Sequence, residues 1–96
     1  MKREQFTDTG IDDNEVAQLI QKESYRQIEK WGFQQHDLFE WYIYTAEELG
    51  ELAKAISEYA YRDGRLEDVI KEAIQTATLA IKIAIMAKKK LTEGVG

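Results

Sequence analysis

Five side chains carry the chemistry this sequence can be read for. Three lie in the run Glu47-Glu48-Leu49-Gly50-Glu51, and two, Glu72 and Gln75, follow further on. Residues three or four apart on a helix are neighbours. Glu48 and Glu51 therefore point the same way, Glu47 neighbours Glu51, and Glu72 neighbours Gln75. Two unit charges ~4 Å apart repel by ~1 kcal/mol in water and by ~4 kcal/mol at an effective dielectric near 20. A divalent cation converts that cost into coordination. If the two helices pack antiparallel, both pairs converge across the seam and offer three carboxylates and one amide oxygen. Such a site is open and leaves positions for water and phosphate oxygens, the way Mg2+ is commonly held. The plain alternative is a set of solvated helix carboxylates, because acidic pairs at this spacing are common.

Composition narrows the ligand chemistry. The chain of 96 residues has no cysteine and a single histidine. Thiolate sites and zinc sites built on several imidazoles are therefore excluded. Oxygen ligands suit Mg2+, Mn2+ or Ca2+. A di-iron carboxylate bundle needs Glu-x-x-His pairs, and the sequence has none. The charge is -5, from 13 Lys+Arg against 18 Asp+Glu, which argues against a general grip on nucleic acid. The Lys88-Lys89-Lys90 run reads as a solvated helix end complementing the helix dipole. The stretch from Ala73 to Ala87 is too short for a membrane span and contains Lys82. Residues 1–10 are polar and charged, without the apolar core of a signal peptide, so a cytoplasmic protein is expected.

These residues need helices to position them. Proline is absent, glycines are few, and helical periodicity dominates. The chain reads as one all-α domain, residues 1–96, with an irregular N-terminus over 1–11 and a frayed tail over 92–96. Asp12 or Asp13 can cap a first helix running to about Trp31, where Gly32 ends it. Its apolar side holds Val16, Leu19, Ile20, Ile28 and Trp31. Residues 33–37 form a polar loop, and Asp37 can cap a second helix from about Leu38 to Tyr61. Leu38, Trp41, Leu49, Leu52, Ile56 and Tyr59 line it at steps of three and four. Gly50 inside this helix costs roughly 1 kcal/mol against alanine, a cost that close approach of another helix would explain. Arg62-Asp63-Gly64 reads as a turn before a third helix, from about Leu66 to Lys90. Its second half is apolar on most faces, which in a chain this small points to burial against another subunit. The expected architecture is an antiparallel bundle of three long helices completed by oligomerisation.

The ordered motifs resemble a known family. Glu47-Glu48-x-x-Glu51, then Glu72-x-x-Gln75 after 20 residues, is similar to the EExxE, spacer, ExxD signature of the MazG-like all-α nucleoside triphosphate pyrophosphohydrolases. The upstream Lys30-Trp31-Gly32-x-Gln34-x-His36, followed by Trp41, resembles the segment before the acidic motif in short, single-domain members. The likeness covers about Ile28 to Met86. It implies a Mg2+-dependent hydrolase, with Mn2+ as a substitute, assembled as a homodimer or homotetramer. The implied reaction cleaves a (deoxy)nucleoside triphosphate to the monophosphate and pyrophosphate, a use suited to clearing non-standard nucleotides. Glu48, Glu51 and Glu72 match metal-ligand positions. Gln75 stands where the motif has aspartate; its amide oxygen can still ligate a hard cation but brings no charge. Glu47 matches the first motif glutamate and can orient or deprotonate the attacking water, so Glu47 and Glu48 are the candidate catalytic residues.

Four further residues are candidates for binding the substrate. Lys82, on the line that Glu72 and Gln75 begin, can balance phosphate charge, or else snorkel from an apolar helix to the surface. Lys54, one turn beyond Glu51, is a second such cation. Trp31 can stack on a nucleobase or anchor packing. His36 can donate to a phosphate or base, or cap the loop. No Gly-rich phosphate loop is present, and neither nucleic acid nor membrane is an expected partner. The alternative function is a non-catalytic, nucleotide-binding or regulatory helical oligomer of the same fold, which Gln75 favours. A purely structural helical interaction protein is a third possibility.

Overall fold

The structure, a computed structural model, describes residues 3–95. Met1, Lys2 and Gly96 lie outside the described residues, and with them the outermost parts of the expected N-terminus and tail. The described chain is all-α: α1 (Asp13–Trp31), α2 (Leu38–Tyr61) and α3 (Leu66–Val95). No strand occurs among the described residues.

Each boundary has a local cause. The Asp12 carboxylate accepts from the Asn14 and Glu15 N–H groups and starts α1. Gly32 stops it, at φ 74° and with its N–H donating to Ile28 O. The Asp37 side chain accepts from Glu40 N–H while Glu40 accepts from Asp37 N–H, so a capping box opens α2. Gly64 is required where the chain turns back. A Cβ there would stand 2.7 Å from the carbonyl carbon of Glu58, closer than packed atoms tolerate.

The C-terminal end differs from expectation. α3 extends to Val95, past the expected end at about Lys90. Thr92 Oγ1 donates to Lys88 O and Lys90 Nζ lies 3.7 Å from Glu93, both within the last turns. With no proline to interrupt it, the helix runs on.

Helix α3 is the spine. Both α2 and α1 pack on it, and α1 does not pack on α2. The gap between α1 and α2, floored by α3, is where the candidate site lies. Trp41 and Ala55 are the buried apolar residues, and Thr78 of α3 is fully buried, its hydroxyl donating to Ile74 O. The apolar line expected on α2 is thus only partly covered: Leu38 is 55% exposed, Leu49 56% and Ile56 49%. Close approach of a helix at Gly50 is not found either, since a Cβ built there meets nothing within 4 Å. The chain exposes 7998 Å², whereas a folded monomer of its mass exposes about 5,700 Å². The excess comes from the irregular residues 3–12, all exposed, together with the uncovered faces of the helices.

Candidate functional site

Antiparallel packing of α2 on α3 brings Glu48 opposite Glu72 and Gln75. The carboxylates of Glu48 and Glu72 stand within hydrogen-bonding reach of each other. One terminal group of the Gln75 amide lies 2.9 Å from Glu48 Oε2 and 3.0 Å from Glu72 Oε2. A half-turn of the amide exchanges its nitrogen and oxygen in the same space. With nitrogen inward, Gln75 donates to both carboxylates and occupies the place of a cation. With oxygen inward it faces only acceptors, an orientation these neighbours satisfy only if a cation stands between the three oxygens. Among the described residues, no three acidic or imidazole side chains are already drawn together as a cage.

The electrostatics report the same crowding. Partial burial, the contact with Glu72, and the charges of Glu72, Glu51 and Glu23 all push the Glu48 carboxyl above its ordinary pKa. Glu51, one turn further on, is exposed. It lines a shallow concavity of ≈ 170 Å³ together with Glu72, Lys54 and Arg65. Lys54 therefore lies on that side of the acidic group.

On the other side opens a larger cavity of ≈ 520 Å³. Gln75, Leu79, Lys82 and Met86 of α3 contribute its floor, Trp41, Tyr44, Glu47 and Glu48 of α2 one wall, and Arg26, Gln27 and Trp31 of α1 the other. Gly32, Phe33 and Gln34 of the connecting loop also border it. One end is aromatic and the other carries the acidic pair. Trp31 is 52% exposed, with Lys30 Nζ 4.7 Å from its ring centroid. His36 packs edge-on against Trp41 and Tyr44, at 5.1 and 5.0 Å between centroids. Its ring nitrogens face Gln34 Oε1 at 2.7 Å and Glu40 Oε2 at 3.6 Å. It therefore braces the aromatic wall and the loop from behind, whereas Trp31, Glu47, Glu48, Gln75 and Lys82 line the cavity itself.

Lys82 does not snorkel freely. Its Nζ donates to Gln27 Oε1 at 2.8 Å. Gln27 Nε2 donates to Glu23 Oε2 at 2.8 Å, and Glu23 takes both Nε and Nη2 of Arg26 at 2.8 Å. Burial lowers the Lys82 pKa, and the charge of Glu23 opposes that shift. Burial works to raise the Glu23 pKa, but hydrogen bonds from Arg26 and Gln27 and the charges of Arg26 and Lys82 outweigh it and hold the carboxyl below its ordinary range.

Glu23, Arg26 and Gln27 are not among the residues expected at the site from sequence. A signal was present: Glu23 and Gln27 sit at the core-facing steps between Ile20 and Trp31, where apolar residues are expected. A charged or amide group at such a step requires a partner.

No family model, curated protein or solved structure matches this chain.

Proposed function

We propose that this chain is a Mg2+-dependent nucleoside triphosphate pyrophosphohydrolase of the MazG-like all-α type. It hydrolyses a (d)NTP to (d)NMP and pyrophosphate in the cytoplasm as a homodimer or homotetramer. One observation carries this reading: Glu48 and Gln75, both in contact with Glu72, border the charged end of a cavity whose other end is aromatic. A nucleotide has that same polarity, with an apolar ring at one end and a polyanion at the other. The volume is in the range of small-molecule sites.

Glu48, Glu51, Glu72 and Gln75 would hold the Mg2+, which supplies neutralisation of phosphate charge and a more acidic water. Gln75 would present its oxygen when the cation is bound and its nitrogen when it is not. Glu47, beside Glu48 on the cavity wall, orients or deprotonates the attacking water. Trp31 and Trp41 flank the base, and Lys82 meets phosphate oxygens. The exposed Tyr42, Leu49 and Ile56 support a second copy of the chain as partner.

A panel of canonical and modified dNTPs with Mg2+ or Mn2+ tests the activity. Pyrophosphate release that is lost in Glu48→Gln and Glu72→Gln is expected. No release from any substrate at high protein concentration sinks the enzyme reading. The uncharged Gln75 favours a second reading, a nucleotide-binding module without turnover. Calorimetry with a non-hydrolysable triphosphate would then show binding with no product. Gln75→Asp adds a charge at the site and is expected to tighten Mg2+ binding by about tenfold, ~1.4 kcal/mol. Unchanged Mg2+ affinity in that variant would remove Gln75 from the ligand set.

A further inference from the structure

The cavity has two cations on its walls: Arg26, held by Glu23 of its own helix, and Lys82, held by Gln27 of a different helix. Arg26 belongs to α1 and Lys82 to α3. Glu23 is the group that both depend on. It is buried, and both its oxygens are engaged: Oε1 by Arg26 Nε, Oε2 by Arg26 Nη2 and by Gln27 Nε2. Gln27, also buried, passes that orientation on, because a nitrogen donating to Glu23 leaves its oxygen to accept from Lys82 Nζ.

The donors left over are what a ligand meets. Guanidinium has five N–H donors in a rigid fork, and ammonium has three. The Nε/Nη2 edge of Arg26 is spent on Glu23, which leaves its Nη1 donors for a ligand, and the guanidinium lies 5.7 Å from the Trp31 ring centroid. Lys82 spends one donor on Gln27. Both residues border the cavity that Glu48 and Gln75 also border. The fork geometry of arginine suits phosphate oxygens, whereas lysine acts as a movable point charge.

We propose that Arg26 is a phosphate-binding residue of this cavity, and that Glu23 is a positioning residue which, directly and through Gln27, holds Arg26 and Lys82 as one anion-receiving wall facing the acidic pair. The ligand chemistry is a phosphoanhydride chain entering between that wall and the carboxylates. This deepens the proposed function and rests on it for the identity of the substrate.

The test uses the full chain and inorganic tripolyphosphate with Mg2+ as probe, which isolates anion binding from base recognition. Calorimetry on wild type, Glu23→Gln, the double variant Arg26→Met/Lys82→Met, and the triple combination forms a coupling cycle. Binding to wild type is expected, weakened about tenfold by Glu23→Gln and at least as much by the double variant. In the double-variant background, Glu23→Gln is expected to change nothing further, because no cation is left to position. A merely structural Glu23 would weaken binding equally in both backgrounds, and that additive result overturns the proposal. Absence of tripolyphosphate binding to wild type overturns it as well. Circular dichroism at the assay temperature verifies that each variant is folded, and Glu23→Asp replaces any Glu23→Gln protein that is not. The two readings fail separately. Turnover of a dNTP with an additive cycle removes the positioning role and leaves the enzyme, whereas a coupled cycle without turnover removes the enzyme and leaves the anion wall.

Discussion

At the scale of single residues, the crowded carboxylates have a thermodynamic consequence. Glu48 holds its proton more tightly in the fold than in the unfolded chain, because of burial and the neighbouring Glu72, Glu51 and Glu23. A raised carboxyl pKa means that the folded state binds more protons in the window above the ordinary value of 4.5. In cation-free buffer, stability should therefore fall as pH rises through that window. Glu48→Gln should flatten the fall and gain on the order of 1 kcal/mol at neutral pH, after allowing for solvent screening. Chemical denaturation across pH 4 to 8 in EDTA reads this directly. An unchanged slope in the variant would mean that the carboxylates are not in contact. Glu23 has the opposite sign: its depressed pKa contributes stability above the ordinary carboxylate range, lost as pH falls through the folded value.

Helices and turns set the positions that the acidic group needs. Glu48 faces Gln75 only if α2 starts in the right register and the turn after it is tight. Asp37 and Glu40 fix the start through the capping box. Asp37→Ala should cost ~1 kcal/mol, visible as a lower urea midpoint with unchanged slope. Gly64 fixes the turn. Gly64→Ala drives a methyl into the backbone of Glu58 and should cost roughly 2 kcal/mol. If Gly64→Ala melts at the wild-type temperature, the α2–α3 turn is looser than described. Both elements were legible in the sequence, since a cap and a glycine act through their immediate neighbours. The length of α3 was less so, because nothing between Thr92 and Val95 either forbids or demands a helix.

For the whole molecule, the balance of buried and exposed surface decides what this chain is. Three helices bury few apolar side chains completely, and Tyr42, Leu49 and Ile56 recur every seven residues along α2 while remaining about half exposed. Such a stripe is the seam that the proposed second copy of the chain would cover. Leu49→Glu combined with Ile56→Glu should convert the proposed oligomer to a monomer in sedimentation equilibrium. The thermal transition should become lower and independent of concentration. A wild-type chain already monomeric at micromolar concentration would contradict that expectation.

Periodicity, caps and glycines determined the three helices, because each is a local property of neighbouring residues. They also determined that Glu48, Glu51, Glu72 and Gln75 could share a seam, because spacing on a helix fixes direction. Tertiary structure alone decided that the Gln75 amide stands between the carboxylates of Glu48 and Glu72, its nitrogen able to donate to both. It alone showed that α1 and α2 part to leave a cavity. It also joined Lys82 to Arg26 through Gln27 and Glu23. The reason is distance along the chain: Lys82 and Gln27 are 55 residues apart. No rule of helical spacing says which two faces meet across that separation; only the packing of α1 on α3 brings them together.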